Sequence, residues 1–466
     1  MPYVNRLTSV FCQFSGIPTK RLVIGSSSGK QPIGNSLSFM FTRQDALDLD
    51  TNDPLAKYRE RFIFTDPEVC YLDGNSLGRL PKSTVESINK FLIEGWGARI
   101  VDGWAEWIDK AETTGDLIGR AALGAVAGQT LAMDTTSVNF YRLVRAAITA
   151  RPGRRTIITD EANFPTDRYI MQGIAEELDL NLVIIPNELL EHSTGESFSN
   201  ELVTPEILNP HLTDDVALVT LSVVAYRSGA LHNIKELTDL ARESGALMIW
   251  DASHAVGAVD MQFDRDGVDL AVGCTYKYGN SGPGSPAWLY VSKRIQSELR
   301  MPIQGWFAQR NQFLMGSKFE QTEGMRGFQI ASPSIVGLLC IDEGFGMIEE
   351  ASISAINDKA AKGTAMMIEL FDQWLDPLGF ELVTPRDSNL RGGHISIYHP
   401  DAAQIARGLR DDMKVIPDYR APNSIRVAIS PLATSYVEVF DGFERIRDYT
   451  KSGKYKDLDL SGIKVS

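Results

Sequence analysis

A mostly parallel α/β sheet domain followed by a smaller α+β domain is predicted for this 466-residue chain, on three observations. Strand-length apolar runs alternate with helical patterns between residues 155 and 274. A short Gly/Pro-rich loop then joins two further apolar runs. Beyond Pro333 the texture changes to one long helical pattern and then to strands that alternate like half-buried ones.

The elements follow in order. Residues 1–45 hold Lys20, Arg21 and a Gly25–Gly29 serine-glycine run without a continuous apolar stretch, so they are expected to form a weakly ordered extension and not a secretory signal. Asp45 to Glu60 is polar and helical, and Tyr71–Gly78 reads as a short strand with a glycine turn. Apolar residues at helical spacing predict a helix over Ser83–Trp96, and small apolar residues predict another over Leu117–Ala127. Strands are expected at Arg155–Thr159, Leu182–Ile185, Val216–Ser222, Leu247–Asp251, Leu270–Cys274 and Trp288–Val291. Helices Val138–Ala150, Tyr169–Leu178 and Ile234–Ser244 separate the earlier ones. The short loop before Trp288 admits an antiparallel connection. A single helix is expected over Ile335–Leu370, then strands at Phe380–Val383, Gly393–Ile397 and Ser424–Ile429, with helices Asp401–Arg410 and Val437–Tyr449. These patterns divide the chain into a large domain, 46–330, and a small one with its connecting helix, 331–466.

Composition narrows the function classes. A net charge of −14 argues against nucleic acid or an anionic membrane as partner, although local donors can still hold a phosphate. No apolar run reaches the ~18 residues of a membrane span. Cys12, Cys70, Cys274 and Cys340 are scattered, with no CxxC or metal-ligand spacing, so reduced thiols in a cytoplasmic protein and no metal site are expected.

The chemistry concentrates in two segments. Asp251, in Trp250–His254, ends one expected strand; Lys277, in Thr275-Tyr276-Lys277-Tyr278, stands just past the end of the next. Both therefore fall at the carboxyl edge of the sheet, where open α/β sheets bind ligands. An acid and a lysine so placed are what pyridoxal phosphate requires: the carboxylate holds a proton on the pyridine nitrogen, and the amine forms the Schiff base. The bland readings are a helix cap for Asp251, a surface lysine, and for His254 a satisfied core histidine. Asp134-Thr135-Thr136-Ser137 opens a helix, either as an ordinary cap or as an anion site. Phe164-Pro165-Thr166-Asp167 follows a strand, so Phe164 is either a turn residue or a stacking platform.

In this order and spacing, these segments resemble the kynureninase family of fold-type I pyridoxal-phosphate enzymes over roughly residues 70–450. Gly273–Gly284, Gly305-Trp306-Phe307 and Arg391-Gly392 match as well. The resemblance implies the fold-type I transferase fold, with a mostly parallel seven-stranded sheet, and a homodimer that shares its active sites. It implies Lys277 as Schiff-base lysine, Asp251 as partner of the pyridine nitrogen and Tyr276 as proton donor. Thr136, Ser137, Tyr276 and Trp306 would hold the phosphate or the cofactor rim, Trp306 from the neighbouring subunit. Phe164 would stack on the ring, with Asp167, Ser222, His254 and Ser332 around it, and Arg391 would bind the substrate α-carboxylate. The implied reaction is hydrolysis of a kynurenine side chain between Cβ and Cγ.

Four positions depart from the family pattern. Ala308 and Gln309 replace Gly-His, Ser332 stands where Asn or Thr is usual, and Ala433 replaces a tyrosine. An altered distal pocket points to a modified kynurenine. It equally admits a different reaction on the same cofactor, such as β-elimination by a C–S lyase, transamination or decarboxylating deamination in a natural-product pathway.

Overall fold

The computed structural model describes residues 40–191 and 197–459; the first 39 residues of the expected N-terminal extension lie outside the described ones. The described residues from 41 onward form one compact unit. Its centre is a seven-stranded sheet in the order Thr130–Ala132, Trp288–Val291, Leu270–Gly273, Leu247–Asp251, Val216–Ser222, Thr156–Asp160, Asn181–Ile185. Only Trp288–Val291 runs against the others, pairing antiparallel on both sides. The Gly/Pro-rich connection of residues 274–287 forms no helix to cross the sheet, so this strand returns antiparallel beside its predecessor.

The four middle strands are wholly buried, which is why they read as continuous apolar runs. Trp250 and Trp288 are completely enclosed in the core between sheet and helices. Burial of such side chains stabilises the fold by roughly 1.5–3 kcal/mol each.

Three sequence expectations need correction. Thr130–Ala132 was not foreseen, because three residues carry too little pattern; its place comes from pairing with Trp288–Val291. The helix expected over Leu117–Ala127 begins at Lys110 and ends before Gly124, whose φ of +59° and close approach to Gln262 suit only glycine. The single helix expected over Ile335–Leu370 is two, Ile335–Ala351 and Ile353–Leu370. Ser352 breaks it with a φ of +71° and caps the second helix by accepting from Ala355 N–H. Helical periodicity continues across such a break and so conceals it.

A second, four-stranded antiparallel sheet, in the order Glu381–Leu382, His394–Tyr398, Ser424–Ala428, Asp418–Arg420, packs with Ala402–Asp412 and Tyr436–Ser452 around its own apolar core. That core also takes Ala46 and Leu72, because Arg43–Thr51 lies on Tyr436–Ser452 and Cys70–Tyr71 pairs with Val415–Ile416. Tyr71–Gly78 is thereby drawn between the two sheets, beside the ends of the parallel strands. Among the described residues no helix is long and apolar enough to cross a membrane.

Candidate active site

Parallel pairing sets Ser222 directly opposite Asp251, and Asp251 opposite Val272. The carboxyl ends of three strands therefore share one level, and the chain that leaves the third delivers Tyr276 and Lys277 to it. A cavity of about 280 Å3 opens there, lined among others by Thr136, Ser137, Phe164, Asp167, Ser222, Asp251, His254, Tyr276 and Lys277. Nine residues from five separate segments meet in one place.

Each wall has a local cause. Thr135 caps the Thr136–Thr149 helix by accepting from Val138 N–H at 3.3 Å, which leaves first-turn N–H groups and the hydroxyls of Thr136 and Ser137 at the cavity. Asp134 precedes the cap at a φ of +53°, pinned by the fully buried Arg142, which also donates to the Phe328 carbonyl. Pro165 is the first helical residue of Pro165–Leu178, where its missing N–H is not needed. Asn163 accepts from Phe164 N–H at 2.7 Å and from the Ser222 hydroxyl at 3.0 Å, so one buried amide orients both. Phe164 also meets Tyr226 edge to face, with centroids 5.3 Å apart.

Electrostatics distinguish the two ends of the cavity. At the sheet end, Asp251 accepts from Ser253 N–H at 2.8 Å. Its neighbour Asp167 is held well above the usual carboxylate range, first by burial and then by the Asp251 charge. At the other wall, burial pushes the Lys277 ammonium below the ordinary lysine value, and Nζ lies 2.7 Å from His254 Nε2. Burial also raises the Tyr276 phenol, so it stays protonated and able to donate.

Asp160, the last residue of its strand, is pushed up to about 6 by burial, and so is Asp73 near the second sheet. A carboxyl raised on folding contributes stability below its unfolded pKa of about 4 and loses it as pH rises through about 6. Asp160→Asn is therefore expected to raise the melting temperature of the apoprotein at pH 8, by up to about 3 kcal/mol in stability, with the gap closing towards pH 4. Thermal melts of both proteins across that range check it; a pH-independent gap would contradict it.

Three expected site residues are not brought to the cavity within one chain. Trp306 is 42% exposed and stacks edge to face on Phe307, and Ser332 is exposed. Arg391 is buried, donating to Thr364 Oγ1 at 3.0 Å and to the Arg386 carbonyl. None of the four departing positions lines the cavity either: Ala308 and Ala433 are enclosed elsewhere, and Gln309 binds the backbone of Glu320 and Lys318.

Sequence reasoning missed Arg426. It is 1% exposed, bonded to Asp418, to Ser76 Oγ at 3.1 Å and to the carbonyl of Tyr226, a cavity residue. Burial lowers Lys277 and His254 most, and the Arg426 charge lowers both further. The only available signal was an arginine inside an otherwise apolar strand, Ser424–Ala428.

The cavity fits pyridoxal phosphate. A helix N-terminus with two hydroxyls suits the phosphate, Phe164 flanks the space, and a buried carboxylate pair with an unpartnered Asp167 Oδ2 faces a group that carries positive charge. This sheet order, with the lysine and the acid on neighbouring strand ends, defines a pyridoxal-phosphate-dependent enzyme of fold type I. Solved structures agree on the fold: an apo cysteine desulfurase from Thermococcus onnurineus aligns at a TM-score of 0.70 and 18% identity, over 85% of this chain and 98% of its own. A cysteine desulfurase from Escherichia coli gives 0.69 and 12%, with the same coverage.

The family profile described as the kynureninase C-terminal domain matches residues 356–446. Kynureninase from Pseudomonas fluorescens is 35% identical over 412 residues, 87% of this chain and 94% of the relative. Kynureninase from Burkholderia pseudomallei is 35% identical over 424 residues, 88% and 95%. The chain belongs to the kynureninase family.

Proposed function

We propose that this protein is a pyridoxal-phosphate-dependent hydrolase that cleaves kynurenine, or a ring-modified kynurenine, with water to alanine and an aryl carboxylic acid. The observation that carries the reading is the meeting of Lys277, Asp251, Asp167 and the Thr136–Thr149 helix N-terminus in one cavity of a kynureninase-family chain. Nothing in the cavity favours the eliminating, transaminating or decarboxylating alternatives.

Thr136, Ser137 and the first-turn N–H groups would hold the phosphate, Phe164 would cover the ring, and Asp251 would face its nitrogen, with Ser222 and His254 at the ring's edge. Bound there, pyridoxal phosphate supplies an electron sink for bonds broken at Cα and Cβ of the amino acid. Lys277 would hold the cofactor through Nζ, and the same nitrogen would take the α-proton of the amino acid; its depressed pKa leaves more of the amine free to do so. Tyr276, neutral through burial, donates the proton that the departing Cβ needs. The test is incubation of purified protein with kynurenine and with 3-hydroxykynurenine, following anthranilate fluorescence and alanine. Release of pyruvate or CO2 in place of alanine would overturn the reading.

For the substrate α-carboxylate we propose Arg426 in place of Arg391, because Arg426 reaches the carbonyl of the cavity residue Tyr226 and its charge acts on Lys277 and His254. Arg426→Lys keeps the charge but loses the guanidinium fork, and is expected to raise KM at least about tenfold. Arg391→Lys is expected to change KM by less than about threefold. Steady-state kinetics separate the two, and the reverse ranking would restore Arg391 to that role.

We further propose a cytoplasmic homodimer, and a division of the chain near residue 330 into cofactor and small domains. The half-exposed Trp306 then completes the partner's cofactor rim, with Ser332 nearby. Mixing Lys277→Ala protein with Trp306→Ala protein is expected to restore activity that neither has alone. Absence of complementation in a dimer shown to exchange subunits would contradict a shared site.

A further inference from the structure

His394 is a buried group that the reaction above does not use. It opens the His394–Tyr398 strand and is wholly enclosed, and beyond the backbone of Tyr226 its ring has no hydrogen-bond partner, so at least one ring nitrogen is left free. Its ring sits against Gly229, at a φ of +78°, where a side chain would press on the His394 carbonyl at 2.5 Å and on the ring at 3.3 Å. A fold that leaves an imidazole nitrogen buried without a partner gives up roughly 1–3 kcal/mol, so such a group calls for an explanation.

The explanation lies one ring away. His254 and His394 have centroids 5.6 Å apart, at 54°. Two imidazoles joined by an N–H···N bond of about 2.9 Å have centroids about 5.2 Å apart, so a small rotation brings these rings into direct contact. His254 Nε2 already lies 2.7 Å from Lys277 Nζ, and its other nitrogen, Nδ1, is buried without a partner. An amine, charged or neutral, offers N–H to Nε2, which places the imidazole hydrogen on Nδ1. That Nδ1–H needs an acceptor, and the neighbouring His394 ring has a nitrogen free to accept. Burial, and after it the charges of Arg426 and Lys277, keeps both rings neutral, as an acceptor must be.

We propose that His394 is the positioning residue of a Lys277–His254–His394 series, accepting from His254 Nδ1–H so that His254 Nε2 stays turned towards the lysine amine. The arrangement follows the nucleophile, base and orienting group of activated nucleophiles, with a neutral imidazole as the orienting group. It rests on the cofactor reading above, since the amine it serves is the one that captures pyridoxal phosphate.

Two measurements test it without turnover. Labelling with 15N-histidine reports the tautomer of each ring in the apoprotein; His254 is expected to carry its hydrogen on Nδ1 in the wild type and to become mixed in His394→Ala. The second is the rate at which apoprotein captures pyridoxal phosphate, read from the visible band of the lysine-bound cofactor. His394→Ala is expected to slow capture about tenfold, the scale of one lost hydrogen bond, whereas His394→Gln, which keeps an acceptor, stays within about twofold. If His394→Ala does not fold, His394→Phe fills the slot without an acceptor and serves the same comparison. An Nε2–H tautomer in wild-type His254, or Gln slowed as much as Ala or Phe, would overturn the proposal in favour of plain packing. Failure of the wild type to form the band at all would instead overturn the cofactor reading.

Discussion

Lys277→Ala is expected to abolish the visible absorption band of the lysine-bound cofactor and to lower the rate of kynurenine cleavage at least about a thousandfold. Two losses combine. The covalent anchor disappears, and so does the group that moves the α-proton at Nζ. Lys277 lines the cavity beside the buried His254, and its replacement leaves the strand that delivers it, Leu270–Gly273, in the interior of the sheet. The fold should therefore survive, and the variant should still bind pyridoxal phosphate non-covalently through Thr136, Ser137 and Phe164. Spectra of dialysed protein and an anthranilate assay check both parts. A variant that keeps the band would place the attachment elsewhere; no second lysine lines this cavity.

Asp251→Asn is expected to retain the band yet lower kcat at least about a hundredfold. A carboxylate opposite the ring nitrogen favours its protonated, electron-withdrawing form, and a neutral amide of the same shape does not. The pairing of Asp251 with Ser222 and Val272 is through the backbone and is untouched by the change. One secondary effect identifies the cause. Asp167 is held high partly by the Asp251 charge, so its carboxyl should ionise at lower pH in the variant. Asp251→Glu restores the charge and should recover part of the rate. An Asn variant with wild-type kcat would remove Asp251 from the chemistry.

Much of this was readable along the chain. Asp251, Lys277, Phe164, Asp167 and the Thr136-Ser137 helix start sit where strands end or helices begin, and strand ends in a parallel sheet converge by construction. Local pattern thus carried most of the cofactor site. Arg426 was not readable in the same way. It lies in a strand of the second sheet, 149 residues after Lys277, and meets Tyr226 and Ser76 only through tertiary packing. The Ser352 break was hidden for another reason, since a cap inside a helical pattern leaves its periodicity intact.

The sequence by itself determined the sheet's parallel character, the strand-end acid and lysine, and with them the cofactor class and the family. Each of these depends on residues near in sequence or on a repeating period. Tertiary structure alone decided which buried charges act on the lysine, how one buried amide orients Phe164 and Ser222, and that His394 lies beside His254. The longest of those relations join segments more than fifty residues apart, and their strength depends on distance and on exclusion of water, which only the packed chain sets.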